Sequence, residues 1–312
     1  MKRQWIASAV LLLTAFIWGL AFVAQILGAG YIGPFSFNSV RFLVGGLFLV
    51  PVCLLAERTK SDRATRRRIF FGGAVCGTVL FLASSFQQYG TGLCSNPGKA
   101  GFITGVYTVL TPVFYFVFFR RRSGIRTWIG AVAAAVGLLL LFFDPETGLK
   151  AEKGYLFILL SAVFWAWHII ALDRFVQNLP ALKFSCVQFL FTGLLNIIAA
   201  LISEQTAVAD LRAALPAILF CGILSTGVGF TGQTVGQKLM ENPSKSAILL
   251  STESLFSVVG GFLWNLLPVD PALRVETAIS PYGIVGCVLI FAAIILSQLP
   301  EKGVRNAGPV QT

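Results

Sequence analysis

Long apolar runs alternate with short polar connections along the chain. Each run holds about 20 residues, the length that an α-helix needs to cross the hydrocarbon core of a bilayer. The ten runs lie at 5–27, 34–55, 69–90, 97–119, 125–143, 154–172, 180–203, 214–236, 243–267 and 281–299. They lack the alternation of membrane β-barrel strands, and a helix satisfies its own backbone hydrogen bonds in lipid. The pattern predicts an all-α integral membrane protein with ten transmembrane helices.

Composition supports this prediction. Hydrophobic residues make up 56% of the 312 residues, charged residues only 12%, and the mean hydropathy is +0.81. A soluble domain carries roughly 25% charged residues because its surface faces water. The start of the chain, Lys2 and Arg3 before an apolar run, resembles a signal peptide. Because Trp18 and Gln25 extend that run, we expect an uncleaved first helix.

The two halves of the chain repeat each other. The matching pairs are FNSVRFL at 37–43 with FSCVQFL at 184–190, Trp18 with Trp165, NPGKA at 96–100 with NPSKS at 242–246, and Gln87 with Gln233. The first two pairs are 147 residues apart and the last two are 146 apart. This period is far too long for a solenoid repeat. We therefore expect two copies of a five-helix unit, at 1–145 and 150–300, followed by a short cytoplasmic tail at 301–312.

Charge predicts the orientation of the helices. Cytoplasmic loops of membrane proteins carry an excess of Lys and Arg close to the spans. With the N-terminus inside, most of the 24 Lys and Arg residues fall on the cytoplasmic side, above all in the loops at 56–68 and 120–126. We expect a multi-pass protein of the plasma membrane with both termini in the cytoplasm. The RRR triplets at 66–68 and 120–122 abut spans, so they indicate contact with anionic lipid rather than with nucleic acid.

Five helices per copy is an odd number, so the second copy enters the membrane from the opposite side. Inverted repeats around a midplane site are typical of alternating access in secondary transporters. The pattern therefore favours a secondary active transporter of a small molecule. A channel and a membrane-embedded enzyme are the alternatives, although neither a continuous polar pore line nor a catalytic set is evident. The sequence leaves open whether the protein forms a homodimer, and it indicates no cofactor.

Several runs resemble one family of transporters. They are TAFIWGLAFVAQ at 14–25, YIGPFSFNSVRFL at 31–43, GFITGVYTVLTPVF at 101–114, WIGAVAAAVGLLLL at 128–141, GYLFILLSAVFWAWHIIALDRF at 154–175, STESLFSVVGGFL at 251–263 and GCVLIFAAIILSQL at 286–299. These runs resemble the EamA family of the drug/metabolite transporter superfamily. The resemblance implies ten helices, two inverted repeats and the movement of small metabolites, with amino acids and related compounds as one candidate class. The chain departs from the family where a Gly-Glu pair commonly follows span 9, because Asn265 and LLPVDPALRVET stand there.

Charged residues inside spans are costly and typically face a cavity or a partner. Arg41 lies about 10 Å into span 2, and Glu253 about 15 Å into span 9, at 1.5 Å per residue. Glu253 is either a protonatable group that binds a cationic or amine substrate or couples proton movement, or a protonated or Arg-paired residue that fixes helix packing. Arg41 either binds a substrate carboxylate, or it snorkels outward or pairs with a carboxylate of the protein. Asn38 shares the helix face of Arg41.

Other polar positions mark helix faces. Ser161, Trp165 and His168 share one face of span 6, and Trp18 and Gln25 share one face of span 1. Each is a pore-lining residue or an interhelical packing residue. The candidate residues for substrate binding or coupling are Glu253, Asn38, Arg41, Trp18, Gln25, Tyr107, Trp165, His168 and Gln188.

Several further features of the sequence have a structural rather than a functional explanation. GVGFTG at 227–232 fits a dinucleotide-binding pattern, but it lies inside an apolar span with no strand before it, so its glycines indicate close helix contact. Pro112 is expected to kink span 4. The six cysteines show no metal-ligand spacing and are expected to be small apolar residues without disulfides. His168 is the only histidine, which excludes a His-rich metal site.

Overall fold

Nearly all of the described part of the chain is helical. The computed structural model describes residues 2–58, 61–120, 125–144, 148–149, 152–240, 246 and 249–298. The α-helices are α1 Lys2–Ala29, α2 Pro34–Ala56, α3 Arg63–Gly92, α4 Pro97–Gly105, α5 Tyr107–Phe119, α6 Ile125–Phe142, α7 Lys153–Val176, α8 Ala181–Ser203, α9 Val208–Leu219, α10 Thr231–Leu239, α11 Glu253–Leu266 and α12 Pro281–Gln298. A π-helix, Phe220–Phe230, joins α9 to α10, and a 3₁₀ turn, Pro271–Leu273, follows α11. The two-residue strands β1 Phe143–Asp144 and β2 Gly148–Leu149 pair in the connection between the repeats.

These helices correspond to the predicted spans. Spans 1 to 3 are α1 to α3, span 4 is α4 with α5, and spans 5, 6 and 7 are α6, α7 and α8. Span 8 is α9 to α10, span 9 contains α11, and span 10 is α12. Seven helical segments of the described chain are long and apolar enough to cross a membrane, and spans 5 and 10 are shorter apolar helices. The described part of span 9 includes α11, of 14 residues. The protein is a multi-pass helical membrane protein.

Packing between the helices is the same when the two halves are exchanged. Span 2 packs against span 7, span 4 against span 9, and span 5 against span 10. Span 3 packs against spans 6 and 7, and span 8 correspondingly packs against spans 1 and 2. Span 1 packs against span 9, as span 6 does against span 4. A twofold pseudo-symmetry axis therefore relates the five-span halves.

The contact between spans 2 and 7 gives the direction of the two halves. A methyl group added at Gly46 would lie 2.7 Å from Leu190, and one added at Gly193 would lie 2.9 Å from Leu43. Leu190 is the counterpart of Leu43, and Gly193 is the counterpart of Gly46. Each contact is therefore the other one with the two repeats exchanged. As the residue number rises along span 2 it falls along span 7, so the two helices are antiparallel. The repeats are therefore inverted, as the odd number of spans per repeat predicts.

Polar residues lie inside this bundle beside its apolar core, and large apolar side chains also cover its outside. Thr192, Asn196 and His168 are fully buried. Large apolar side chains such as Leu201 and Ile202 are more than 80% exposed. A lipid-facing surface needs no polar groups, whereas buried polar groups need partners or a polar cavity.

Span 4 is interrupted at a position that the sequence did not predict. The break lies at Val106, between α4 and α5, and Pro112 lies within α5. The hydroxyls of Thr104, Thr108 and Thr111 donate to backbone carbonyls three or four residues earlier. Such bonds bend helices, because they compete for the carbonyls that hold the helix together.

Span 8 also differs from its prediction of 214–236. It is helical over 32 residues, Val208–Leu239, because its first turns are polar and extend the helix beyond the apolar run. Its centre is the π-helix, and Gly229 and Gly232 lie against Trp18 and Thr14 of span 1. The close helix contact expected for these glycines is therefore present.

The connection between spans 9 and 10 is tied to the end of α11. The side chain of Asn265 donates to the Val275 carbonyl at 2.8 Å and accepts from the Val275 amide at 3.1 Å. The Trp264 indole donates to the Leu273 carbonyl at 2.8 Å. Asn265, which marks the departure from the family pattern, thus orders this loop. The predicted tail at 301–312 lies outside the described residues.

Candidate functional site

A central cavity lies where the two halves meet. It is small, with a volume of about 30 Å³. Its wall consists of Trp18, Ala21, Phe22, Gln25, Arg41, Gln87, Thr104, Tyr107, Trp165, Ile169, Ser225, Phe230, Gln233 and Glu253. These residues come from seven different spans, so the cavity forms only when both halves are in place.

Several wall residues are counterparts in the two repeats. Trp18 and Trp165 match, and Gln87 matches Gln233, at the offsets that reveal the repeat. The cavity therefore lies on the twofold axis. The two tryptophans differ in their bonds: the Trp165 indole donates to the Gln87 side chain at 2.7 Å, whereas the Trp18 indole donates to the Ser225 carbonyl at 3.2 Å.

Spans 4 and 9 are interrupted at matching positions beside this cavity. Val106 ends α4, and Thr252, 146 residues later, precedes α11. The Val106 amide donates to the Ile103 carbonyl at 3.3 Å, and the Thr252 amide donates to the Leu249 carbonyl at 3.3 Å. These are i→i−3 bonds, which tighten a helix locally. The same distortion therefore occurs in both repeats, and the next residue in each is a wall residue.

Those next residues are Tyr107 and Glu253. Both are only 3% exposed. The Tyr107 hydroxyl is close enough to the Glu253 carboxyl to interact with it, although the two groups do not meet strict hydrogen-bond geometry. Neither that hydroxyl nor Oε1 of Glu253 has a hydrogen-bond partner among the described residues. A buried carboxyl with a vacant acceptor position can take a proton or a cationic ligand.

Arg41 supplies the opposite charge in the same wall. Its side chain is 2% exposed, and the guanidinium lies 4.8 Å from the centre of the Phe42 ring and beside the Cys221 thiol. Nε of Arg41 has no hydrogen-bond partner among the described residues. A buried guanidinium with a free donor is suited to a carboxylate.

Gln25 adds a further polar group. It is 4% exposed, and its Oε1 has no partner in the described part of the chain. The Gln88 side chain holds its backbone by donating to the Gln25 carbonyl at 3.0 Å. The helix face that Trp18 and Gln25 were predicted to share does contribute both residues to the cavity.

Six of the nine predicted residues line the cavity, and three lie elsewhere. Nε2 of His168 lies 3.3 Å from Oε1 of Gln188, and both residues are fully buried. The His168 ring packs edge-on against Trp165 and Phe230, so it supports the wall from behind. Asn38 is also fully buried, and neither polar atom of its side chain has a partner among the described residues.

Sequence reasoning missed part of the wall. Gln87 and Gln233 were used only to recognise the repeat, yet two matching glutamines inside apolar runs are themselves a signal of a shared polar site. Ser225 and Phe230 lie on the π-helix, which no local pattern announces. Thr104 resembles any threonine that bonds to its own helix.

Metal chemistry has no visible basis in the described residues. They contain no group of three or more His, Cys, Asp or Glu side chains that could hold a metal ion. All six cysteines are free thiols.

The fold and this site define a class: a helical membrane protein of two inverted repeats around a shared polar cavity. The sequence model of the EamA-like transporter family matches residues 5–143 and 152–299. The chain belongs to the EamA-like transporter family, and it is a membrane transporter.

Individual relatives agree with this assignment. An uncharacterized transporter of Archaeoglobus fulgidus is 25% identical over 94% of this chain and 86% of its own length. The inner membrane protein YtfF of Escherichia coli is 27% identical, over 54% of this chain and 55% of its own length. One solved crystal structure superposes with a TM-score of 0.64 at 18% identity, covering 93% of this chain and 96% of that chain. This last similarity concerns the fold alone.

Proposed function

We propose that the protein is a secondary active transporter that moves small metabolites across the plasma membrane by alternating access. The observation that carries the proposal is the meeting of Tyr107 and Glu253 at matched helix interruptions, on the axis between two inverted halves. A site on that axis can be opened to either face by equivalent movements of the two halves. Interrupted helices at such a site are typical of transporters.

The chemistry of the wall favours a substrate with both charges. Glu253 provides a site for an ammonium group or a proton, and Arg41 provides a site for a carboxylate. Trp18, Trp165 and Phe230 provide apolar and aromatic surface around them. Amino acids and related compounds combine these features, so they are the substrate class that we propose.

For orientation we propose N- and C-termini in the cytoplasm. The Arg-rich segment 58–68 then lies on the cytoplasmic side, and the connection that contains Asn265 and Val275 lies outside. The reason is the charge bias of the loops, since anionic lipid and the membrane potential favour basic loops inside.

The substitution Glu253→Gln tests the role of the carboxyl, because glutamine keeps the shape and removes the titration. Purified protein in proteoliposomes is assayed with a panel of radiolabelled amino acids and amines, with and without an imposed pH gradient. We expect folded, inserted protein whose gradient-driven uptake falls to background. Glu276→Gln is the matched control, because Glu276 is exposed and accepts from the Ser95 hydroxyl away from the cavity.

Full uptake with unchanged pH dependence in Glu253→Gln would leave this carboxyl a packing residue. The same assay separates the other classes. Saturable, gradient-driven flux supports a transporter, conductive flux supports a channel, and a change of the solute without flux supports an enzyme.

A further inference from the structure

Two glutamates connect the ends of spans 2 and 7. Glu57 follows the last turn of α2, and its carboxylate accepts hydrogen bonds from the backbone amides of Leu182 at 3.1 Å and Lys183 at 3.0 Å. These amides belong to the first turn of α8, where backbone donors lack partners within the helix. A carboxylate there is favoured by charge as well as by hydrogen bonding.

The opposite end of the same helix pair has the same contact with the roles exchanged. Glu204 follows the last turn of α8, and it accepts from the amides of Phe35 at 2.9 Å and Ser36 at 2.8 Å in the first turn of α2. The Ser36 hydroxyl also lies 2.8 Å from the Thr206 hydroxyl. We call these two contacts the Glu57 cap and the Glu204 cap.

The two caps are counterparts in the sequence. Glu57 and Glu204 are 147 residues apart, the offset that relates spans 1 and 2 to spans 6 and 7. Both glutamates are followed two residues later by threonine, in ERT at 57–59 and EQT at 204–206. Both carboxylates are partly buried. One repeated unit thus supplies one cap for each face of the protein.

Helix packing places the caps between two bundles that each contain helices of both repeats. We group spans 1, 2, 8 and 9 as one bundle, because span 8 packs on spans 1 and 2 and span 9 packs on span 1. Spans 3, 4, 6 and 7 form the other, because span 3 packs on spans 6 and 7 and span 4 packs on span 6. The bundles meet where span 2 packs on span 7 and span 4 on span 9. Span 2 belongs to the first bundle and span 7 to the second. Each cap therefore links the two bundles, at opposite ends of the molecule. A rocking movement that separates the bundles at one face would break the cap there and leave the other intact.

We propose that Glu57 and Glu204 are paired latches of the transport cycle, each of which closes one face of the central cavity. The Glu57 cap closes the face that contains the segment 58–68, and the Glu204 cap closes the opposite face. Both are positioning residues that act through spans 2 and 7, and the proposal rests on alternating access as the function. In the structure both caps are formed, which corresponds to a state between the two open ones.

The test measures which face of the protein admits a reagent to the cavity. A cysteine-free protein carries one reporter cysteine, Ser225→Cys, in right-side-out and inside-out vesicles, and a membrane-impermeant maleimide labels it from either face. We expect Glu57→Ala to raise the labelling rate several-fold from the face of segment 58–68 and to lower it from the opposite face. Glu204→Ala should produce the reverse. The double variant should be labelled faster from both faces.

Two further variants sharpen the test. Gly33→Ala changes neither glutamate, but its methyl group would collide with the Glu204 carboxyl and displace it. This variant should therefore reproduce Glu204→Ala. Glu276→Ala removes an exposed acid from the same face as Glu204 and should change neither rate. If an alanine variant fails to fold, the Glu→Gln variant replaces it, since the amide oxygen still accepts one of the two bonds.

Labelling changes in the same direction for Glu57→Ala and Glu204→Ala would overturn the proposal. So would a lowered melting temperature in detergent with unchanged labelling, because that result indicates stabilising caps without a gating role. If the wild-type protein transports and the variants show either of these two results, the latch proposal is refuted and the transport function is not. A wild-type protein without any saturable flux refutes the transport function itself.

Discussion

Some residues at matching positions of the two repeats differ in their chemistry. Tyr107 and Glu253 occupy the same place in the two halves, yet only one of them carries a carboxyl. Arg41 corresponds to Gln188 in the same way. Because the fold supplies equivalent backbone positions, a single substitution in one repeat is enough to place a charge on one side of the cavity. The charged groups of the wall, Arg41 and Glu253, come from different repeats.

The role of Arg41 can be measured by giving it the side chain of its counterpart. We expect Arg41→Gln to raise KM about 10- to 150-fold for substrates that carry a carboxylate, since a hydrogen bond to a charged group contributes about 1.5–3 kcal/mol. Amines without a carboxylate should be affected much less. Uptake kinetics in proteoliposomes with both substrate types provide the measurement.

Cys221→Ala is the control for this experiment, because it removes the thiol beside the guanidinium and keeps the charge. It should leave the preference for carboxylates in place. An equal increase in KM for both substrate types in Arg41→Gln would indicate a loss of packing rather than of a carboxylate site.

At the scale of secondary-structure elements, small residues allow helices to cross closely. Gly137 of span 5 and Gly286 of span 10 lie against each other, and a methyl group added at either would lie within 2.8 Å of the other's carbonyl oxygen. Spans 5 and 10 pack extensively on each other and much less on other helices. This crossing is therefore the main packing contact of the last span of each repeat. Membrane helices commonly use small residues in this way.

Gly286→Ala tests the crossing between spans 5 and 10. The methyl group would lie 2.5 Å from the Gly137 carbonyl oxygen, so the helices must separate. We expect a destabilisation of about 1–3 kcal/mol, the usual cost of overpacking, seen as a lower melting temperature in detergent. Gly30→Ala is the control, because the nearest atom to its added methyl lies 3.4 Å away. Equal melting temperatures of the two variants would show that the crossing tolerates a wider separation.

At the scale of the whole molecule, the two bundles are assembled from both repeats rather than from one repeat each. Span 3 packs on spans 6 and 7, and span 8 packs on spans 1 and 2. Each repeat alone therefore lacks the main packing partners of its third span. The cavity, the paired interruptions and the two caps all lie between elements of different repeats. The functional unit is the complete pair of repeats.

The orientation of the molecule predicts which positions an external reagent reaches. Single cysteines at Asp62 and Ser123, in a cysteine-free protein, should be labelled only after the cytoplasmic side is exposed, because basic loops stay inside. A single cysteine at Glu276 should be labelled in intact cells by the same impermeant maleimide. Labelling of position 62 or 123 from outside intact cells would refute the proposed topology.

The amino-acid sequence by itself determined the class of fold. Apolar length predicts the spans, and the offset between FNSVRFL and FSCVQFL predicts two inverted units, because both features are local or repetitive. Helical periodicity also identified Trp18, Gln25 and Trp165 as residues of polar or aromatic faces.

Only the tertiary structure decided which of those faces meet at the cavity. His168 and Gln188 lie behind the wall and contact each other, whereas Gln87 and Gln233 belong to it. Periodicity states that residues share a helix face, but the neighbouring helices decide whether that face is covered or open. The interruption of span 4 at Val106 has the same kind of origin. Its counterpart lies in span 9, which packs on span 4, and this pairing exists only when the inverted halves are packed together.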